Sequence, residues 1–188
     1  MRRHRSAVPR PSNLRIGRDA LPRPEGSARL APEVVMAPVQ IRRLEPADEP
    51  LAAKALTALK PSSERSDDSV RAEDVGSFLS DRRNALFLAN DGDAPVGYLV
   101  GYVLSRVDRA APMVLLYEIE VAEASRRQGV GTALIDALKR HAAEVGACKI
   151  WVLTDMDNAP ARALYRKAGG VEVGENLLIA WTGASSGS

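Results

Sequence analysis

The sequence predicts an α/β domain: a mixed central sheet with helices on both faces. Three observations carry this expectation. Apolar runs of strand length alternate along residues 39–181 with segments whose apolar residues recur every three to four positions. The strand-like run Met113–Val121 passes into Arg126-Arg127-Gln128-Gly129-Val130-Gly131-Thr132, a glycine turn that opens a helical pattern. At 188 residues the chain suffices for one substantial core, and its single cysteine precludes an intrachain disulfide, so burial has to hold the fold.

Each element follows in order. Residues 1–38 carry eight arginines and six of the twelve prolines with no apolar period, and read as a disordered leader. Residues 39–44 alternate as a first strand; Pro46 then opens a helix whose stripe is Leu51, Ala55, Leu56 and Leu59. A polar, Ser-rich loop at 61–68 precedes a short helix over 70–79 that carries Val75, Phe78 and Leu79. Residues 84–90 and 95–107 form a hairpin around Asp91-Gly92-Asp93, and a turn at 106–112 leads to the strand Met113–Val121. The helix over 129–145 lines up Val130, Leu134, Leu138, Ala142 and Val145 on one face, with Gly146 as its C-cap. A buried strand follows at 149–154, with Cys148 before it as a small buried hydrophobe. A helix over 159–168 ends at Gly169-Gly170, two closing strands fall at 171–173 and 177–181, and residues 182–188 form a frayed tail.

Charge and composition exclude several classes. The leader sets eight basic residues against three acidic ones, +5, whereas residues 39–188 hold 18 basic and 21 acidic residues, −3. The folded part is therefore mildly acidic, and no aromatics interleave the leader's arginines, so neither segment reads as a nucleic-acid surface. No stretch approaches the ~20 apolar residues of a membrane span and no secretory apolar region is visible. A reducing, cytoplasmic setting without membrane partners is expected. His141 has no partner histidine, so no metal role is expected either.

The glycine turn is the chemical signature. Gly129 and Gly131 tolerate positive φ and carry no Cβ, so successive N–H groups can converge on one anion, and the helix starting there adds about half a positive charge. A Walker loop is excluded because no Lys-Ser or Lys-Thr follows the glycines, and a dinucleotide fingerprint because Leu134 stands where its third glycine belongs. What remains is R-x-x-G-x-G on Arg126, Gly129 and Gly131, followed by N-x-x-A-x-x-L-Y-x-K-x-G from Asn158 to Gly169. In this order the two segments resemble the coenzyme A loop and the next helix of the GNAT superfamily of N-acetyltransferases. The resemblance implies acetyl-CoA as co-substrate. Its pyrophosphate would meet the backbone of Arg126, Arg127, Gln128, Gly129, Val130, Gly131 and Thr132, and its pantetheine arm the strand backbone at Ile119 and Val121 together with Asn158, Ala161 and Tyr165.

Glu118 and Glu120 stand two apart in an apolar strand, which places them on one face and Tyr117, Ile119 and Val121 on the other. Two like charges at this spacing favour raising one pKa, so either glutamate suits the general base for an ammonium acceptor. Tyr165 matches the family position that protonates the leaving thiolate. The run Tyr117-Glu118-Ile119, residues 125–135, and residues 157–165 further resemble the aminoglycoside 3-N-acetyltransferases, which usually show Tyr-Asp where this chain has Tyr117-Glu118. That resemblance implies transfer to the 3-amino group of an aminoglycoside, conferring antibiotic resistance. Tyr117, Glu118, Glu120, Asp155 and Asp157 would then form an acidic lip for a polycationic sugar, in a chain that can also pair as a homodimer. The other readings are a GNAT enzyme for another small amine or a protein amine, and a silent coenzyme A-binding sensor. Retention of Tyr165 and both glutamates argues against silence.

Overall fold

The computed structural model describes residues 39–60 and 70–174. Five strands, β1 (Gln40–Arg43), β2 (Asn84–Asp91), β3 (Ala94–Leu104), β4 (Met113–Val121) and β5 (Lys149–Trp151), form one sheet in the order β1-β2-β3-β4-β5. All neighbours are antiparallel except β4 and β5, which run parallel because α3 (Val130–Glu144) crosses between them. The remaining helices are α1 (Glu49–Leu59), α2 (Ala72–Ser80) and α4 (Ala159–Lys167). Gly92, at φ +58°, makes the β2–β3 turn where a glycine was expected.

The two faces of the sheet are covered separately. Ala52 and Ala55 of α1 and Val75 and Leu79 of α2 pack on Leu86, Leu88, Tyr98 and Val100. On the opposite face Val130, Leu134 and Leu138 of α3 pack on Phe87, Leu99, Val114 and Leu116. Two glycines of β3 permit this close approach. A Cβ at Gly97 would lie 2.8 Å from the Glu120 carbonyl oxygen and 3.3 Å from Val130, and one at Gly101 would lie 2.8 Å from Leu138. The start of α3 is thus seated directly on the sheet, beside the end of β4.

Several expectations need correction. The first helix is preceded by one 3-10 turn at Pro46–Asp48, where the Asp48 carboxylate accepts from the Glu45 backbone N–H at 3.0 Å. β3 ends at Leu104, leaving Val107 exposed in the following turn. β5 pairs for only three residues and then leaves β4. Cys148 is exposed, not buried, because it sits in the turn before β5, where Arg106 Nη1 lies 3.7 Å from its sulfur. Among the described residues no strand forms at 171–173. The leader at 1–38, the loop at 61–68, the strand at 177–181 and the tail lie outside the described residues.

Candidate active site

The pairing of β4 with β3 slips by one residue: Glu118 faces Val100 while Leu116 faces Gly101, so Tyr117 is the extra residue of a bulge. This corrects the expected facing. In an unbroken strand Glu118 and Glu120 would stay in phase with Val114 and Leu116, beneath α3. The bulge shifts that phase. Ile119 and Val121 join the α3-side core, while Tyr117 and Glu118 emerge together on the α1–α2 side. There Tyr98, fully buried in β3, donates its hydroxyl hydrogen to a Glu118 carboxylate oxygen in a short contact.

Glu118 and Tyr117 line a groove of 330 Å³ closed by Leu56 and Lys60 of the α1 end, by Val70, Arg71, Asp74, Val75 and Phe78 of the α2 region, and by Tyr102. Phe78, Tyr102 and Tyr117 meet edge to face, with ring centres 5.8 Å and 5.4 Å apart in succession. Burial, then the neighbouring Tyr117 and Glu118, push the Tyr102 phenol above its ordinary value, so it stays neutral. The groove is therefore an aromatic-walled cleft with one held carboxylate at its floor. At its mouth acid and base alternate, Arg71 Nε lying 2.8 Å from Asp74.

At the end of β4 the second glutamate is already engaged. Arg126 donates from Nη2 to Glu120 at 2.9 Å and from Nε to the Val121 carbonyl at 3.0 Å. The loop then turns through two left-handed residues, Arg127 at φ 63° and Gly129 at φ 89°. α3 starts at Val130, and its first internal bond runs from Ala133 N to the Gly129 carbonyl at 2.9 Å. The N–H groups of Val130, Gly131 and Thr132 consequently have no helical acceptor and point out of the helix start, while Gln128 bonds the Ala124 carbonyl through its side chain. Gly131 has a packing duty as well: a Cβ there would lie 3.0 Å from Leu164 of α4. Beyond Leu115 and Trp151 the β4–β5 pairing stops, so among the described residues Glu118 to Val121 keep a backbone edge without a β5 partner, leading to this loop.

α4 borders the same opening. Asn158 caps it, its side-chain oxygen accepting from Ala161 N at 3.2 Å. Tyr165 packs half-buried against the α3-side core, and burial raises its phenol above the usual value. Asp155 and Asp157 are exposed in the β5–α4 turn, held by backbone bonds from Asn158 and Ala159, and are not among the groove-lining residues. The structure thus joins Glu118 to Tyr117 but pairs Glu120 with Arg126. Tyr98 and Tyr102 were missed by sequence reasoning. The available signal was a tyrosine inside the apolar run of β3, whose hydroxyl needs a partner, with an acid waiting in the adjacent strand. Among the described residues no group of three His, Cys, Asp or Glu could hold a metal, and no helix is long and apolar enough to cross a membrane.

A mixed sheet that opens beside its fourth strand, with free helix-start donors at one end of the opening and a carboxylate at the other, defines an α/β acyltransferase of the coenzyme A-dependent kind. The chain belongs to the GNAT acetyltransferase family, whose model matches residues 49–170. Solved structures share the fold. An aminoglycoside acetyltransferase, meta-AAC0020, from an uncultured soil metagenomic sample, in complex with sisomicin, is 25% identical at a TM-score of 0.71, over 77% of this chain and 95% of that one. A second soil metagenomic aminoglycoside acetyltransferase, HMB0005, is 26% identical at a TM-score of 0.68, over 78% and 100%. The aminoglycoside N-acetyltransferase AAC(6')-Iy in complex with CoA is 20% identical at a TM-score of 0.66, over 81% and 99%, and speaks for the fold alone. No curated protein matches the chain.

Proposed function

We propose that the chain transfers the acetyl group of acetyl-CoA to an amine of an aminoglycoside, the 3-amino group of the deoxystreptamine ring, and that it confers resistance by doing so. The observation that carries this reading is Glu118, a carboxylate held by Tyr98 at the floor of a groove and at the start of the β4 stretch that has no β5 partner among the described residues. Glu118 takes the ammonium proton, directly or through water, and the neutral amine attacks the thioester carbonyl. An N–H near Val121 stabilises the oxyanion, and Tyr165 gives its proton to the departing thiolate. The loop at 126–132 binds the pyrophosphate, and Asn158 and Ala161 flank the pantetheine arm. Likeness to two aminoglycoside acetyltransferases at 25% and 26% identity, one in complex with sisomicin, supports the acceptor class.

The test is direct. Sisomicin and gentamicin incubated with protein and acetyl-CoA should each gain one acetyl group by mass spectrometry, and NMR of the product should place it on N3. Acetylation at the 6'-amine would keep the drug class and replace the position. No mass change across a panel of aminoglycosides would remove this acceptor.

A second reading has its own observation. The groove is walled by Leu56, Val70, Val75 and three aromatic rings, a setting that suits an amine bearing an apolar group. Thiol release with amino acids or peptides, and none with aminoglycosides, would favour it. Retained acetyl-CoA binding without thiol release from any amine would make the chain a sensor instead.

A further inference from the structure

At the β1–β2 edge of the sheet, on the α3 side, lies a cavity of 180 Å³ that the acetyl-transfer site does not use. Its floor is apolar: Ile41, Phe87 and Ala137. Its remaining lining is Arg43 from β1 and Arg140, His141 and Glu144 from the last turns of α3. His141 is 4% exposed, yet among the described residues neither ring nitrogen has a hydrogen-bond partner, and Arg43 Nε is likewise buried and unpartnered. Unpaired buried polar atoms are rare, because each forfeits a hydrogen bond to water. Arg43 Nε and the one N–H of a neutral His141 are donors on residues that line the same cavity, and protonation of the ring adds a third.

The charges facing His141 define what that acceptor is. Glu144 Oε2 lies 3.7 Å from Nδ1 at the rim and is exposed, and Glu45 engages Arg43 Nη1 at 3.8 Å. Arg43 Nη2 is turned to the Asn84 carbonyl at 3.3 Å, which leaves Nε for the cavity, while Arg140 reaches it from the exposed face of α3 with its guanidinium unpaired among the described residues. We propose that this cavity binds a small oxyanion, a carboxylate or a tetrahedral phosphate-like group, between Arg43, Arg140 and His141. A water molecule occupies ~30 Å³, so the space exceeds one solvent molecule several-fold, yet it falls short of the roughly 300 Å³ at which cofactor pockets begin. Burial and the Arg43 charge hold the His141 imidazole neutral below its ordinary titration range, whereas an anion seated against it favours the protonated ring. Binding therefore strengthens as pH falls.

The chain holds two histidines, His4 and His141, so ring signals from a histidine-labelled full-length protein assign by one variant. The His141 midpoint is measured in chloride, in acetate and in sulfate at matched ionic strength. Acetate reports a carboxylate ligand and sulfate a phosphate-like one. The expected result is a rise of about one pH unit in His141 with at least one of them, no rise in His4, and loss of that rise in Arg140→Ala, an exposed position whose change leaves the fold intact. Equal His141 midpoints in all three salts would overturn the proposal. So would a full-sized rise that persists in a folded Arg140→Ala.

Discussion

Tyr98 donates to Glu118 from a fully buried position and so fixes the orientation of that carboxylate at the groove floor. On the proposed function, Tyr98→Phe removes this hold and should lower kcat with acetyl-CoA KM unchanged. Full turnover in a folded Tyr98→Phe would separate Tyr98 from the chemistry. Glu118→Gln removes the proposed base and should lower kcat by roughly 10² to 10⁴. Tyr165→Phe should cost a similar factor, and since burial lifts its phenol above the ordinary value, Tyr165 should keep its proton across the neutral range. If Glu118→Gln keeps full turnover, Glu120 released from Arg126 becomes the base to test. Glu118, Tyr165 and the loop glycines could be named from type and spacing alone, and the structure places them at the groove floor, in α4 and at the start of α3. Tyr98 could not, since its bond to Glu118 depends on how β3 and β4 pair, which is a property of neither strand alone.

The bulge makes the same point for strands. Periodicity found β4 from end to end but could not place its phase, because one unpaired residue at Tyr117 reverses the facing of everything after it. β5 was overestimated for a related reason. Residues 149–154 read as one buried strand, yet only Lys149 to Trp151 find partners before the chain veers away, and Leu153 is exposed. The helices were read closely, as α3 shows, because a stripe of Val130, Leu134 and Leu138 against polar neighbours has one solution. Its seating on β3 yields a stability prediction. Gly101→Ala sets a methyl 2.8 Å from Leu138 and should cost about 1–3 kcal/mol by urea unfolding, as overpacking does in a filled core. Gly129→Ala meets nothing within 4 Å and should cost only its left-handed backbone, about 1–2 kcal/mol. A larger loss at Gly129 than at Gly101 would contradict this order.

For the domain as a unit, His141 ties stability to acidity. Burial, then the Arg43 charge, depress its pKa in the fold below the ordinary value, so as pH falls through the ordinary histidine range the unfolded chain takes up more protons than the folded one. Stability should decline from about pH 7 to pH 5 in chloride, and His141→Leu should flatten that slope, as read by thermal melting across the range. A slope identical in the variant would assign the acid sensitivity elsewhere.

The guanidinium of Arg126 spans the Glu120 carboxylate and the Val121 carbonyl, so the glycine loop is clasped to the end of β4. Under the proposed function Arg126 would have to turn from Glu120 to serve a pyrophosphate at full strength. Donor binding would then leave Glu120 charged and unpaired, and the acceptor is expected to bind better after the donor than before it. Calorimetry should show the acceptor amine binding more tightly in the presence of desulfo-coenzyme A than in its absence, and Glu120→Gln should erase the difference. The clasp would then act as a timing device, keeping the amine site poorly charged until there is an acetyl group to give.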